Sequence, residues 1–425
     1  MEGFFMQVKD LAFTARQAAY DLSALSLEKR NEALKKIGQA LQAHAAEIFA
    51  ENRKDLADAE RENLAAPLLK RLKFDEKKMQ DVQAGIASLI ALPDPLGHTL
   101  LARELNPGLN LYRISCPIGV IGVIFESRPD ALVQIATLCL KSGNAALLKG
   151  GREALHTNRA LFAAMEEGAR GILPDGWAAL LETRDDVNEM LSQDECIDLL
   201  IPRGSNAFVR YMMDHTRIPV MGHADGICHT YVDEYADIET AVKVTVDAKT
   251  QALAVCNATE TLLVHERIAA AFLPPCAKAL KEKGVEIRGD EKTQAIIDCL
   301  PAAEDDWATE YLDAILSIRI VNSLEEAIDH INHYGSHHTD AIITENESAK
   351  QRFMSRVDSA GVYVNCSTRF ADGFRYGFGA EVGIATGKLH ARGPVGLEGL
   401  CTYKYCLLGS GQTVGETTSY THRDL

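Results

Sequence analysis

Gly119-Val-Ile-Gly-Val-Ile-Phe125, then Pro129, Gly143 and Ala145-Ala-Leu-Leu148, form the succession that decides the fold class. The first run reads as an apolar strand ending at Phe125. Pro129 pre-sets the backbone for a helix start, Gly143 stops that helix, and the second apolar run returns as a strand. Downstream the alternation continues with a helix over 153–167, a strand over 178–181, a helix over 186–191 and a strand over 198–201. This pattern predicts an α/β fold built on a doubly wound parallel sheet. Ligands of such sheets bind at the carboxyl ends of the strands, where the loops here are rich in glycine and charge.

Upstream, residues 11–92 read as helical and charged, with Leu34, Ile37, Leu41 and Ile48 on one apolar stripe and Ser26 as an N-cap. That stripe is core packing with no catalytic role. Pro93, Pro95 and Gly97 break the pattern, and 110–113 and 118–125 read as extended segments parted by Cys116-Pro117, a hairpin-like excursion. A second alternating block starts near Asp237. It holds strands over 261–264, 314–321, 341–344 and 361–365, and a helix opened by Ser323 with Glu326 completing a capping box. Beyond Phe370 the chain is glycine-rich and reads as ordered loop.

Composition narrows the function classes. At 425 residues the chain exceeds what one hydrophobic core usually serves, so at least two domains are expected. A formal net charge of −16 argues against binding nucleic acid or an anionic membrane through bulk electrostatics. The ten cysteines show no Cys-x-x-Cys pair and no dense scaffold spacing, which fits a reduced, cytoplasmic setting. Residues 1–6 are too short for a signal-peptide core, and no run approaches a membrane span of about 20 apolar residues.

Within this frame Cys256 stands out, in Lys249-Thr-Gln-Ala-Leu-Ala-Val-Cys256-Asn257. It falls between a helical pattern (Ile238, Ala241, Val242, Thr245, Val246) and the strand over 261–264. A thiolate there is a strong nucleophile toward an acyl or aldehyde carbon, and following backbone N–H groups can hold an oxyanion. The competing reading is a small buried hydrophobe.

The Gly-x-Gly-x-x-Gly dinucleotide fingerprint is absent; Gly377-Phe-Gly379-Ala-Glu-Val-Gly383 has the wrong spacing and reads as a turn. Lys149 ends a strand, where its ammonium can reach a ribose or a 2′-phosphate, or else sits as an ordinary surface lysine. Arg203-Gly204-Ser205 also ends a strand and opens a helix, so it can meet a pyrophosphate or serve as a plain helix start. His330, His333, His337 and His338 straddle a helix end without a matching cysteine or carboxylate set, so no metal site is expected. His223 and Asp225 read as polar groups lining a site.

Several long motifs carry a resemblance: Arg128-Pro-Asp, Cys139-Leu-Lys-Ser-Gly-Asn144, Ile-Pro-Arg203-Gly-Ser, Gly-His223-Ala-Asp-Gly-Ile-Cys-His229, Val-Cys256-Asn-Ala-Thr-Glu-Thr-Leu-Leu-Val-His265, His330-Ile-Asn-His-Tyr-Gly-Ser-His-His-Thr-Asp340, Ser367-Thr-Arg-Phe-Ala-Asp-Gly373 and Lys388-Leu-His-Ala-Arg-Gly-Pro. Over nearly its whole length the chain resembles the γ-glutamyl phosphate reductases of the aldehyde dehydrogenase superfamily. The resemblance implies an NADPH-binding domain (1–99 and 118–235), a catalytic domain (236–395) and an oligomerisation element (100–117 and 396–425). It implies NADPH-dependent reduction of L-glutamyl 5-phosphate to L-glutamate 5-semialdehyde through a Cys256 thioester, in proline synthesis.

Lys149 then takes the position that meets the adenosine ribose, and Glu310 that of the nicotinamide ribose glutamate. His223 falls at or near the place of the general base of hydrolytic relatives, and 125–129 lacks their oxyanion asparagine, leaving the Cys256 N–H and Asn257 as candidate donors. Arg128, Arg369 and Arg392 are candidates for the substrate's charged groups. Cys366 stands where alanine is usual. A homo-oligomer is expected, with the acyl phosphate arriving from a separate glutamate 5-kinase by transient contact. The other readings are a cysteine-dependent oxidoreductase with another small substrate, or an inactive binding paralogue.

Overall fold

The structure is a computed structural model and describes residues 7–126, 128–204, 206–223, 225–415 and 419–425. The chain forms two compact units: Met1–Met221 with Phe378–Gly383 and Val395–Leu425, and Gly222–Gly377 with Ile384–Pro394. They divide at 221/222, ahead of the boundary read from the sequence at 235/236.

In the first unit the strands are β1 (Thr99–Asn106), β2 (Leu109–Pro117), β3 (Val120–Phe125), β4 (Ala145–Lys149), β5 (Ala178–Leu181) and β6 (Leu199–Arg203). The last four make a parallel sheet in the order β5-β4-β3-β6. Every residue of β3 and β4 is buried, which is why these strands read as unbroken apolar runs: helices cover both faces of a parallel sheet. The crossover helix Pro129–Lys141 opens on proline, and Gly143 follows its end at φ +73°, a conformation that costs glycine little. Asn144 then fixes the turn. Its Oδ1 accepts from the Gly119 N–H at 2.7 Å while its Nδ2 donates to the Leu400 carbonyl at 2.9 Å.

Five helices precede β1. Leu34, Ile37, Leu41 and Ile48 are each 0% exposed, as expected of the stripe, and Ser26 Oγ accepts from the Lys29 N–H. The helix expected over 153–167 runs Leu155–Ala169 after a 3-10 turn at Arg152–Ala154. Its start is set by a distant group: Asp55 accepts from the N–H groups of His156 and Thr157, at 3.1 and 2.8 Å. A cap supplied from another helix leaves no local sequence signal.

The second unit carries β7 (Cys228–Val232), β8 (Thr259–His265), β9 (Glu286–Gly289), β10 (Leu300–Pro301), β11 (Ile315–Val321), β12 (Thr339–Ile343) and β13 (Gly361–Val364). They form one parallel sheet in the order β10-β9-β11-β8-β7-β12-β13. Its core joins Leu262, Val264 and Ile318 to Phe272, Leu273 and Leu280 of helix Glu266–Glu282. The expected capping box is half formed. Ser323 accepts from the Glu326 N–H, whereas the Glu326 carboxylate takes the N–H of Asn322 at 2.8 Å.

The tail expected to be loop beyond Phe370 contains an eight-residue strand, Cys401–Leu408, paired antiparallel with β2; β1 lies between β2 and Arg423–Asp424.

Candidate active site

Cys256 lies in the turn that links helix Ile238–Thr250 to β8, half-buried and without a disulfide. The turn is held from several sides. A Cβ at Gly226 would lie 2.1 Å from the Cys256 carbonyl oxygen and 2.5 Å from its Cα, so only glycine admits this approach. The Cys228 thiol donates to the same carbonyl at 3.2 Å, and burial, first among its causes, pushes the Cys228 pKa up, keeping it a donor.

Asn257 is 5% exposed. Its Nδ2 donates to the Ala371 carbonyl and its own carbonyl accepts from Thr368 Oγ1, both at 2.7 Å. Its Oδ1 has no hydrogen-bond partner among the described residues. The side chain therefore anchors the turn to the loop that follows β13.

Three further groups gather around Cys256. Arg369 is 9% exposed and donates Nε to Gln251 Oε1 at 2.9 Å. Burial lowers its pKa, Arg375 adds to the effect, and Cys256, Asp372 and Asp247 oppose it, so its guanidinium is within electrostatic reach of the thiol. His223 has Nδ1 2.8 Å from the Ile384 carbonyl, a contact in which Nδ1 donates. His338 meets the His223 ring edge-on with centroids 4.9 Å apart, and its burial holds it neutral. One donor atom from each of His223, Cys256 and His338 lies within 4.8 Å of the other two.

Glu310 is half-buried in the loop before β11. Two residues on, the Leu312 N–H donates to Glu260 Oε1 at 3.3 Å. Glu260 Oε2 in turn accepts from Lys249 Nζ at 2.5 Å, with both side chains 0% exposed. Burial drives the pair toward neutrality, the lysine down and the glutamate up to about 7, while each partner's charge opposes the shift on the other.

In the first unit Lys149 and Arg203 end β4 and β6, the strands on either side of β3. Lys149 is 7% exposed and donates to the Gly150 carbonyl; burial lowers its pKa, with Glu153, Asp186 and Glu126 pulling it back. Burial also raises the Glu126 carboxyl, against the pull of Lys149. Gly204 follows Arg203 in a bend; Ser205 lies outside the described residues. An amine, a guanidinium and an exposed carboxyl at one carboxyl edge suit the phosphates and ribose hydroxyls of a nucleotide.

Two candidate arginines are engaged elsewhere. Arg128 occupies the N-cap position of helix Pro129–Lys141 without a side-chain capping bond and pairs with Asp130 at 3.3 Å, where Lys78 also binds. Arg392 donates to the carbonyl and carboxylate of Asp358, which Lys388 shares at 2.6 Å. The residues missed in the sequence are Gly226, Cys228, His338 and Thr368, each brought to Cys256 by strand pairing across the sheet. Their chain separation hides their contacts; the family-like runs 222–229, 330–340 and 367–373 that contain them were the available signal.

The sequence model of the aldehyde dehydrogenase family matches residues 5–298. A γ-glutamyl phosphate reductase of Ruminiclostridium cellulolyticum is 62% identical over 413 residues, spanning 97% of this chain and 95% of the relative. One from Acetivibrio thermocellus is 58% identical over 425 residues, 99% of each chain. The crystal structure of the Thermotoga maritima γ-glutamyl phosphate reductase superposes with a TM-score of 0.94 at 42% identity, covering 96% of this chain and 100% of that one. With this agreement in sequence and backbone, the chain belongs to the γ-glutamyl phosphate reductases of the aldehyde dehydrogenase family.

Proposed function

We propose that the protein reduces L-glutamyl 5-phosphate to L-glutamate 5-semialdehyde with release of phosphate, in proline biosynthesis. The observation that carries this reading is the half-buried Cys256 thiol, fixed by Gly226, Cys228 and Asn257 and flanked by an imidazole and a guanidinium. Its cofactor is a nicotinamide nucleotide, and NADPH is the specific form we assign, met by Lys149, Arg203, Gly204 and Ser205 and by Glu310 at the nicotinamide ribose. When bound, this cofactor supplies the hydride.

The chain's own groups do the rest. His223, with a ring nitrogen within 4.8 Å of the Cys256 thiol, is suited to take its proton. The thiolate forms a C–S bond to the acyl carbon as the bond from that carbon to the phosphate oxygen breaks. The backbone N–H of Cys256 faces the developing oxyanion, and Asn257 keeps the turn in place. After reduction the thiohemiacetal oxyanion re-forms its C=O, the C–S bond breaks, and Cys256 is regenerated. Arg369 is the guanidinium best disposed toward the substrate's carboxylate or phosphate.

Assembly is supported by the edge strand Cys401–Leu408, which exposes Tyr403, Tyr405, Leu407 and Leu408 and pairs along one side with β2. We assign it to homo-oligomerisation. The catalytic reading is tested in reverse, by NADPH formation from glutamate 5-semialdehyde and NADP with and without phosphate. Phosphate-dependent turnover that is lost in Cys256→Ala supports it; phosphate-independent turnover points to a hydrolytic aldehyde dehydrogenase.

A further inference from the structure

We propose that His223, Cys256 and His338 form a chelating site for a soft divalent cation such as Zn²⁺, whose occupation blocks the nucleophile. Sequence spacing argued against a metal because the histidine cluster near His338 has no local cysteine partner. The fold supplies one. Cys256 comes from the turn before β8, His223 from the segment before β7, and His338 from the residue before β12. Their donor atoms lie within 4.8 Å of one another.

The chemistry of the set fits zinc. One thiolate and two imidazoles leave a fourth position open, with Zn–S of about 2.3 Å and Zn–N of about 2.0–2.1 Å. A tetrahedron with those bonds needs ligand atoms roughly 3.4–3.6 Å apart, so closure by about 1 Å suffices.

The second, independent observation is His338. It is 0% exposed, its Nδ1 is taken up by Thr339 Oγ1 at 2.9 Å with Cys228 Sγ at 3.6 Å, and its Nε2 has no hydrogen-bond partner among the described residues. A buried, neutral imidazole with an unsatisfied ring nitrogen is costly to maintain, and a metal ion satisfies it. His223 is braced at Nδ1 by the Ile384 carbonyl at 2.8 Å, as metal-ligating histidines are by a backbone acceptor. Binding converts the Cys256 thiol to a zinc-bound thiolate and releases its proton to solvent. Thioester formation at Cys256 and cation binding then exclude each other.

The test uses the full-length protein, stripped with a chelator, and Co²⁺ and Zn²⁺ alone. The expected result is one cation per chain, a thiolate-to-cobalt charge-transfer band in the near ultraviolet, about one proton released, and loss of turnover that chelator restores. His338→Gln is expected to weaken Zn²⁺ binding at least ~10-fold, and Cys256→Ser to abolish the band. Zn²⁺ affinity within about twofold of the parent in both variants, or binding without the band, overturns the proposal. Should His338→Gln fail to fold, His223→Asn and the Cys256→Ser band decide in its place. Cation stoichiometry, the charge-transfer band and proton release do not depend on the identity of the substrate, so failure here and failure of the proposed reaction, on which only the turnover readout rests, are separable.

Discussion

Lys149 and Lys249 are both buried amines whose pKa is pushed down by burial, yet they sit in opposite situations. Lys249 closes a 2.5 Å ion pair with Glu260 in a wholly enclosed place. Lys149, at the carboxyl end of β4, meets a backbone carbonyl, with carboxylates acting on it only from a distance. A charge sealed against its counter-charge is committed to the fold. One parked at a strand end beside a carbonyl keeps its capacity for an incoming ligand. The difference teaches that burial of a lysine does not identify its role; the partner does.

The comparison breaks most sharply at Lys249. Lys249→Met strands a buried carboxylate, with an expected loss of about 3–5 kcal/mol in chemical denaturation, and adding Glu260→Leu should recover much of it. If the single variant unfolds at the parent's denaturant midpoint, Lys249 is not the structural member of the two.

Arg369 offers an intermediate case, buried yet beside the thiol. Arg369→Gln should lower kcat/KM for glutamate 5-semialdehyde by about 10–150-fold, the worth of a charge-assisted hydrogen bond of ~1.5–3 kcal/mol. Arg128→Gln, already paired with Asp130, should fall below that range. Equal effects would assign the substrate's charge to both.

Lys149→Ala should raise KM for the nicotinamide nucleotide about tenfold, near 1.4 kcal/mol, while moving the unfolding midpoint little. A large stability loss with unchanged KM would move Lys149 into the class of Lys249.

The smallest expected effect concerns another buried base. His330 is held neutral by burial, then by His229, Arg319 and His333, so its pKa falls to about 2. The unfolded histidine binds a proton near pH 6.5 and the folded one does not, so stability is lost as pH falls below that value. From pH 7 to pH 6 the loss is about 0.7 kcal/mol for each such histidine, and it should be absent from the slope of a folded His330→Phe protein. Thermal unfolding across this interval reads it.

Much of the fold was legible because its elements carry local signatures. The unbroken runs of β3 and β4, the proline at the start of helix Pro129–Lys141 and the left-handed Gly143 each speak for themselves. The strand Cys401–Leu408 did not, because an exposed edge strand has no inward face to impose a pattern. The start of helix Leu155–Ala169 was shifted by Asp55, a cap that arrives from another helix. At the site, Cys256 and Asn257 are adjacent in sequence and could be read together. His338 and Cys228 reach them only through the β7–β8 and β7–β12 pairings, and non-local pairing is what single-sequence patterns do not encode.

The side chain of Asn144 touches the amide of Gly119 at the entrance to β3 and the carbonyl of Leu400 just before the tail strand. In mechanical terms it is a rivet between the β5-β4-β3-β6 sheet and the strand Cys401–Leu408. Tension applied to the tail is delivered to the roots of β3 and β4, whose far ends carry Phe125 and Lys149.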